Sequence, residues 1–141
     1  MAAGKMRATV LLLSLSGLVT GCTSLTTPTC SPGAQSSTVA ELVFGRNVGN
    51  QIGVTKADWS RFLDEEVTPR FPDGLTVYDA NGQWRDAERG SIVQEPSKVL
   101  VIVLGDQQRD KARIDEIAGA YKRKFQQQAV LTMLRPACVS F

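Results

Sequence analysis

The chain has 141 residues, with 16 basic side chains, 14 acidic side chains and no histidine. This length is enough for one folded domain and too short for two. The net charge of +2 provides no broad positive field, so a role in binding DNA or RNA has little electrostatic support. The lack of histidine excludes Ser-His-Asp and Cys-His catalysis and most zinc, copper and iron sites, so we expect no metal and no cofactor.

The first 21 residues are typical of a signal peptide. Lys5 and Arg7 precede an apolar run at residues 8–19, which is short for a membrane span. Small residues then lead to Cys22, and this pattern resembles the lipobox of bacterial lipoproteins. The resemblance implies that the Cys22 thiol is lipidated and that cleavage makes it the first mature residue. The alternative is an ordinary secretory signal peptide in which this cysteine has no role.

Cleavage changes the charge balance and places the domain close to a membrane. It removes two basic residues and leaves 14 of each sign, so the positive excess belongs to the targeting segment. Residues 22–38 are rich in Ser, Thr, Pro and Gly and are predicted to form a flexible tether, with the folded domain at residues 39–141.

The residue after Cys22 bears on which membrane holds the protein. Thr23 occupies the position at which an Asp would resemble an inner-membrane retention signal. By analogy with Gram-negative sorting, we expect the outer membrane, facing the periplasm.

Two further cysteines, Cys30 and Cys138, are candidates for one disulfide bond. Exported proteins fold in oxidising compartments, where a remaining pair of cysteines is commonly bonded. The bond would close a loop of about 108 residues, which the chain-entropy model values at roughly 4–5 kcal/mol. The alternative is two unpaired thiols.

An apolar run at residues 99–104 is predicted to be the central strand of a small sheet. It is rich in β-branched residues and is apolar at both side-chain parities, so both faces of the strand should be buried. Further strands are predicted at 39–45, 75–79 and 129–134. Helices are predicted from Thr55, a good N-cap, to a stop before Pro69, and at residues 109–126. Residues 46–54 and 86–96 are predicted to be loops, and residues 83–85 are a candidate continuation of a hairpin arm.

The element order β-α-β-β-α-β predicts a ferredoxin-like α+β fold. Its four-stranded antiparallel sheet would have the order 4-1-3-2, with both helices on one face. The other face would carry alternate residues of the central strand together with Val43 or Phe44, Tyr78, Leu131 and Met133. Apolar faces of this kind rarely remain in water. We therefore expect a second subunit, the tether around Cys30 or the 86–96 loop to cover it.

Several segments between residue 39 and the end of the chain resemble one bacterial family. They are residues 41–46, 67–77, 82–85, 97–100 and 136–141, and the most distinctive is Thr-Pro-Arg-Phe-Pro-Asp-Gly-Leu-Thr at 68–76. On these segments the chain resembles the family named domain of unknown function 3574. The resemblance implies an exported, often lipid-anchored domain with no assigned activity. It supports the expected location and leaves the function open.

Polar and aromatic residues flank the second and third strands, and we expect them to gather at one end of the sheet. Basic side chains there could hold a carboxylate or phosphate while an aromatic ring stacks on the ligand. The predicted ligand-binding residues are Arg70, Asp73, Tyr78, Trp84, Arg85 and Lys98. Without histidine, a general base would have to be Asp73, Asp79 or Glu95. In the structural alternative, these groups cap a turn, cover the sheet or pair with neighbouring charges.

These observations favour a membrane-anchored, non-catalytic module of the cell envelope that binds a small ligand or an envelope partner and can form a homodimer through the free sheet face. We assign no catalytic residue. A second hypothesis is a small histidine-free enzyme with an Asp or Glu base and an arginine anion clamp. A third is a purely structural envelope protein.

Overall fold

The computed structural model describes residues 29–49, 51–87 and 90–141, so the predicted signal peptide and Cys22 lie outside the described residues. A four-stranded antiparallel sheet is covered on one face by the helices. The elements are β1 (Gln35–Gly45), β2 (Asn47–Val48), β3 (Gln51–Ile52), α1 (Lys56–Phe62), a π-helical turn (Leu63–Val67), β4 (Thr76–Arg85), β5 (Ile92–Leu104), α2 (Gln107–Phe125) and β6 (Leu131–Val139). The strand order β4-β5-β1-β6 confirms the predicted ferredoxin-like topology.

The hydrophobic core lies between the sheet and the two helices. Alternate residues of the two central strands face the helices, as the two-residue period of a strand requires. Aromatic rings fill the middle of this layer, and the Tyr121 ring centroid lies 4.7 Å from Phe44 and 5.1 Å from Phe62 in edge-to-face arrangements. The main core residues are Ala40, Leu42, Phe44, Trp59, Phe62, Leu100, Ile102, Leu104, Ile114, Ile117 and Tyr121.

Local sequence signals determine where the first helix begins and ends. The Thr55 hydroxyl accepts the Asp58 N–H at 3.1 Å, and the Asp58 carboxylate accepts the Thr55 N–H at 3.1 Å, which forms a capping box. Hydrogen bonds from Thr55 hold the pKa of Asp58 below its ordinary value. The helix closes in a π-helical turn in which the Thr68 N–H donates to the Leu63 carbonyl at 2.9 Å. Thr68 keeps helical backbone angles (φ −57°, ψ −40°), and the helix ends after it because Pro69 has no backbone N–H to continue the hydrogen-bond ladder.

The strands are longer than predicted. β1 begins at Gln35, four residues before the predicted domain boundary, so the last part of the predicted tether belongs to the sheet. β4 and β5 pair as far as Arg85 and Ile92, so residues 92–96 of the predicted 86–96 loop are strand and extend the sheet instead of folding over its free face. The predicted 46–54 loop contains the short β2–β3 hairpin. These segments were missed because their side chains are largely exposed and show no apolar alternation.

The predicted disulfide bond between Cys30 and Cys138 is confirmed. Cys138 lies near the end of the edge strand β6, opposite Ser36 of β1. The bond therefore ties the segment before β1 to the last strand of the sheet. Pro136 has no backbone N–H to donate. It is tolerated in β6 because an edge strand has a neighbouring strand on one side only.

We expect loss of this disulfide to lower stability substantially. The bond joins residues 108 positions apart, so its removal frees a long loop in the unfolded chain. The double variant Cys30→Ala/Cys138→Ala should lose up to about 4–5 kcal/mol of unfolding free energy in urea denaturation. Reducing agent should lower the stability of the wild-type chain and leave that of the double variant unchanged. Equal stability of the two proteins under oxidising conditions would contradict the expectation.

Candidate ligand-binding cleft

The sheet face opposite the helices is mainly apolar and has a polar pair near its centre. Glu41 forms an ion pair with Arg135 of the neighbouring strand and accepts a hydrogen bond from the Tyr78 hydroxyl at 3.4 Å. The strand register places on this face Val39, Val43, Tyr78, Val99, Val101, Val103, Leu131 and Met133. Tyr78 is 46% exposed. That a second subunit covers this face stays a prediction.

Two clefts open at opposite ends of the free face. The Asp73 cleft, of about 510 Å³, lies where β5 and β6 end and includes Asp73, Thr76 and Phe141. The Glu95 cleft, of about 610 Å³, lies where β1 ends and β5 approaches its centre. Both volumes are typical of small-molecule sites. The acidic group differs between them, because Asp73 is an exposed turn residue whereas Glu95 is half-buried.

Amide side chains make up most of the polar lining of the Glu95 cleft, and Trp84 adds an aromatic ring. Trp84 on its wall is 47% exposed, whereas Trp59 in the core is 4% exposed. Among the described residues that line the cleft, Glu95 has the single ionisable side chain. The functional groups on its walls belong to Asn47, Gln83, Trp84, Glu95, Ser97, Gln126, Gln127 and Gln128.

The Glu95 carboxylate is fixed at the point where the β1–β5 ladder ends. The Arg46 N–H donates to the Pro96 carbonyl at 3.0 Å, and the next residue, Asn47, donates its N–H to Glu95 Oε1 at 2.7 Å. The carboxylate thus replaces a backbone carbonyl in the ladder. It lies so close to Gly45 that a Cβ built at that glycine would be 2.5 Å from Oε1.

Helix α2 and the connection that follows it hold this corner in place. The Tyr121 hydroxyl donates to the Gly45 carbonyl at 2.8 Å, and Gln127 Nε2 donates to the Asn47 carbonyl at 2.7 Å. Burial raises the pKa of Tyr121 well above its usual range, so the hydroxyl keeps the proton that it donates. The two walls of the cleft are therefore joined by hydrogen bonds between residues far apart in sequence.

The six predicted ligand-binding residues do not gather in one place. Trp84 lines the Glu95 cleft, and Asp73 lines the other cleft. Arg70 is ion-paired with Glu66 and Glu116, at 3.1 Å from each, in a region after the first helix. The arginine anion clamp that the enzyme hypothesis requires is not assembled at either cleft.

Strand geometry explains why the remaining predicted residues are separated. Tyr78 is on the free face, whereas Lys98 has the parity of the helix-facing residues and its Nζ lies 2.6 Å from Asp79 Oδ1. The hydrogen bond from Lys98 lowers the pKa of Asp79. Arg85 lies at the far end of β4, nine residues after Thr76 and therefore about 30 Å away along the strand. Ligand binding by these residues stays a prediction.

Sequence reasoning gave Glu95 only as one of three possible bases and missed the amide groups beside it. Asn and Gln carry no distinctive motif, and Asn47 and Gln127 are 80 positions apart. In the part of the chain that the structure describes, no three His, Cys, Asp or Glu side chains are close enough to hold a metal ion. Over the same residues, no helix is long and apolar enough to span a membrane.

The strand order and the comparison with known structures both indicate a ferredoxin-like α+β domain. The chain belongs to a protein family of unknown function, DUF3574, whose model matches residues 39–141. Its structure is similar to that of a phage SAM lyase in complex with S-methyl-5′-thioadenosine, with a TM-score of 0.59 and 14% identity over 81% of this chain and 95% of the lyase. The lyase in its apo state gives a TM-score of 0.57 and 14% identity over 75% and 90%. No curated protein matches the sequence.

We expect Gly45→Ala to disturb the Glu95 corner. The new methyl group would collide with the carboxylate and displace it from the Asn47 N–H. Loss of this charge-assisted hydrogen bond should cost about 1–2 kcal/mol of unfolding free energy and shift the Asn47 amide resonance. Gly82→Ala is the matched control, because its nearest neighbour is Ser97 Oγ at 3.5 Å, an ordinary contact. Equal stability of the two variants would show that the carboxylate position is not constrained.

Proposed function

We propose that this protein is a membrane-anchored, extracytoplasmic binding protein that holds a small polar organic molecule in the Glu95 cleft. The proposal depends on one observation: a half-exposed indole and a half-buried carboxylate open onto the same cleft of about 610 Å³. Aromatic faces and a few fixed polar groups are the usual means by which a concave site orients a small ligand.

The strand register leaves space between these two groups. Glu95 lies directly opposite Gly82, and Trp84 is two residues further along the same face of β4. Such diagonal neighbours are about 7–8 Å apart, and glycine places no side chain between them. A planar or compact ligand group can therefore contact the indole face while its polar atoms reach the carboxylate and the surrounding amides.

Two features support an exported, anchored protein. Residues 1–22 have the charge, the apolar run, the small residues and the cysteine of a lipoprotein signal in the right order. The disulfide between Cys30 and Cys138 is the kind of bond that persists in an oxidising compartment. Together they favour a protein that works at the outer surface of a membrane, with the cleft exposed to the envelope.

Lipidation can be tested by labelling cells with an alkyne analogue of palmitate. The wild-type chain should incorporate the label, sediment with membranes and require detergent for release. Cys22→Ala should remain unlabelled and keep the mass of the precursor, because the lipid is attached to the cysteine before the signal peptide is cleaved. Cys30→Ser is the control and should be labelled like wild type. An unlabelled wild-type protein in the soluble fraction would exclude the anchor.

Cleft binding can be tested by NMR on the full chain, because the chain has two tryptophans and one of them lies in the cleft. The probes are S-methyl-5′-thioadenosine, SAM, N-acetylglucosamine and choline. At least one should shift the Trp84 indole N–H and the Asn47 amide while the Trp59 indole stays unchanged, and Trp84→Ala should weaken that binding. If no probe moves the Trp84 signal, the proposed cleft function is wrong.

A second candidate function is catalysis at the same cleft. Glu95 is a carboxylate fixed by one hydrogen bond, with its second oxygen available to accept a proton from a bound molecule. The SAM sample in the NMR experiment separates the two functions. Loss of SAM, prevented in Glu95→Gln, would indicate an enzyme, whereas unchanged SAM would favour binding alone.

A further inference from the structure

We infer that the ligand of the Glu95 cleft carries a positive charge, as an organic ammonium or sulfonium group seated between Glu95 and Trp84. This inference rests on the proposed binding function and adds the chemical class of the ligand. It also departs from the anion clamp that the sequence suggested, because neither arginine of that clamp lines this cleft.

The charge inside the cleft has one sign. Glu95 is the single ionisable group among its described lining residues, and in the described part of the chain it has no ion-pair partner. The basic residue Arg46, which precedes Asn47 in the chain, does not line the cleft and uses its Nε to donate to the Val54 carbonyl at 2.9 Å. An anionic ligand would therefore meet a carboxylate with no compensating cation among the described lining residues.

The C-terminal end of α2 adds to this negative field. The helix has 19 residues, and Gln126 and Gln127, which follow its last turn, line the cleft. The end of a helix macrodipole carries a partial negative charge that favours cations. Lys122, Arg123 and Lys124 in the last turn offset part of that charge, but none of them lines the cleft, and Lys124 is paired with Glu65 at 2.6 Å.

The indole of Trp84 favours an organic cation over a metal ion. The face of an indole ring attracts ammonium and sulfonium groups through its quadrupole, and it offers no lone pair to a metal. A metal ion would need several oxygen ligands, whereas the cleft supplies one carboxylate and neutral amides. The cleft places a carboxylate beside an aromatic face and surrounds both with amides. This arrangement is complementary to an organic cation whose charge is surrounded by carbon groups.

Two matched pairs of probes test the charge. Choline is compared with 3,3-dimethylbutan-1-ol, which replaces its nitrogen by carbon, and SAM with S-adenosylhomocysteine, which lacks the methyl group and the sulfonium charge. Affinities are measured at constant ionic strength from the Trp84 indole signal of the full chain. In at least one pair, the member with the additional positive charge should bind about tenfold tighter than the member that lacks it.

Glu95→Gln is the decisive variant, because its amide oxygen can still accept the Asn47 N–H while the charge is lost. It should abolish the preference for the charged probe, and Asp73→Asn, the equivalent change in the other cleft, should leave the preference unchanged. Equal affinities within both pairs, or a preference that persists in Glu95→Gln, would overturn the inference and leave cleft binding standing. If none of the four probes binds, the inference also fails, and S-methyl-5′-thioadenosine and N-acetylglucosamine then decide whether the cleft binds anything.

Discussion

The packing of β1 between β5 and β6, with one side against the helices, is the constraint on which the rest of the structure depends. Its alternate residues Ala40, Leu42 and Phe44 are fully buried in the core. Where the strand ends, the Gly45 carbonyl accepts the Tyr121 hydroxyl, and this bond joins the sheet to α2. The same strand end brings Asn47 to Glu95. Core packing and cleft geometry therefore share one corner of the molecule.

That corner explains why the Glu95 carboxylate can lie half-buried beside a glycine with no basic partner among the described residues. The Asn47 N–H supplies a hydrogen bond to one oxygen, and the missing side chain at Gly45 gives the carboxylate its space. Structural support and ligand recognition do not conflict here, since a carboxylate can accept from the backbone with one oxygen and from a ligand with the other. Gln127 likewise has two roles: its side chain joins the two walls of the cleft and also lines the cleft.

The free face of the sheet and the Glu95 cleft are continuous, which relates the apolar surface to the proposed function. Val43 and Leu131 belong both to the face and to the cleft wall. The face is divided by the Glu41–Arg135 pair near its centre, so it is not one uniform apolar plate. A ligand in the cleft is therefore bordered by aliphatic groups on one side and by amides and the α2 terminus on the other.

The sequence determined the topology, because each signal for it was local. The two-sided apolar run at residues 99–104, the Thr55 cap, Pro69 and the helix predicted at residues 109–126 were enough to order the elements. The pair of cysteines in a chain predicted to be exported was enough to suggest the disulfide. Only the tertiary structure decided which polar residues meet. Strand parity placed Lys98 and Tyr78 on opposite faces, and the long β4–β5 hairpin separated Asp73 from Trp84. The register of β1 and the end of α2 then brought Asn47, Glu95 and Gln127 together across the chain, and no local pattern encodes such a contact.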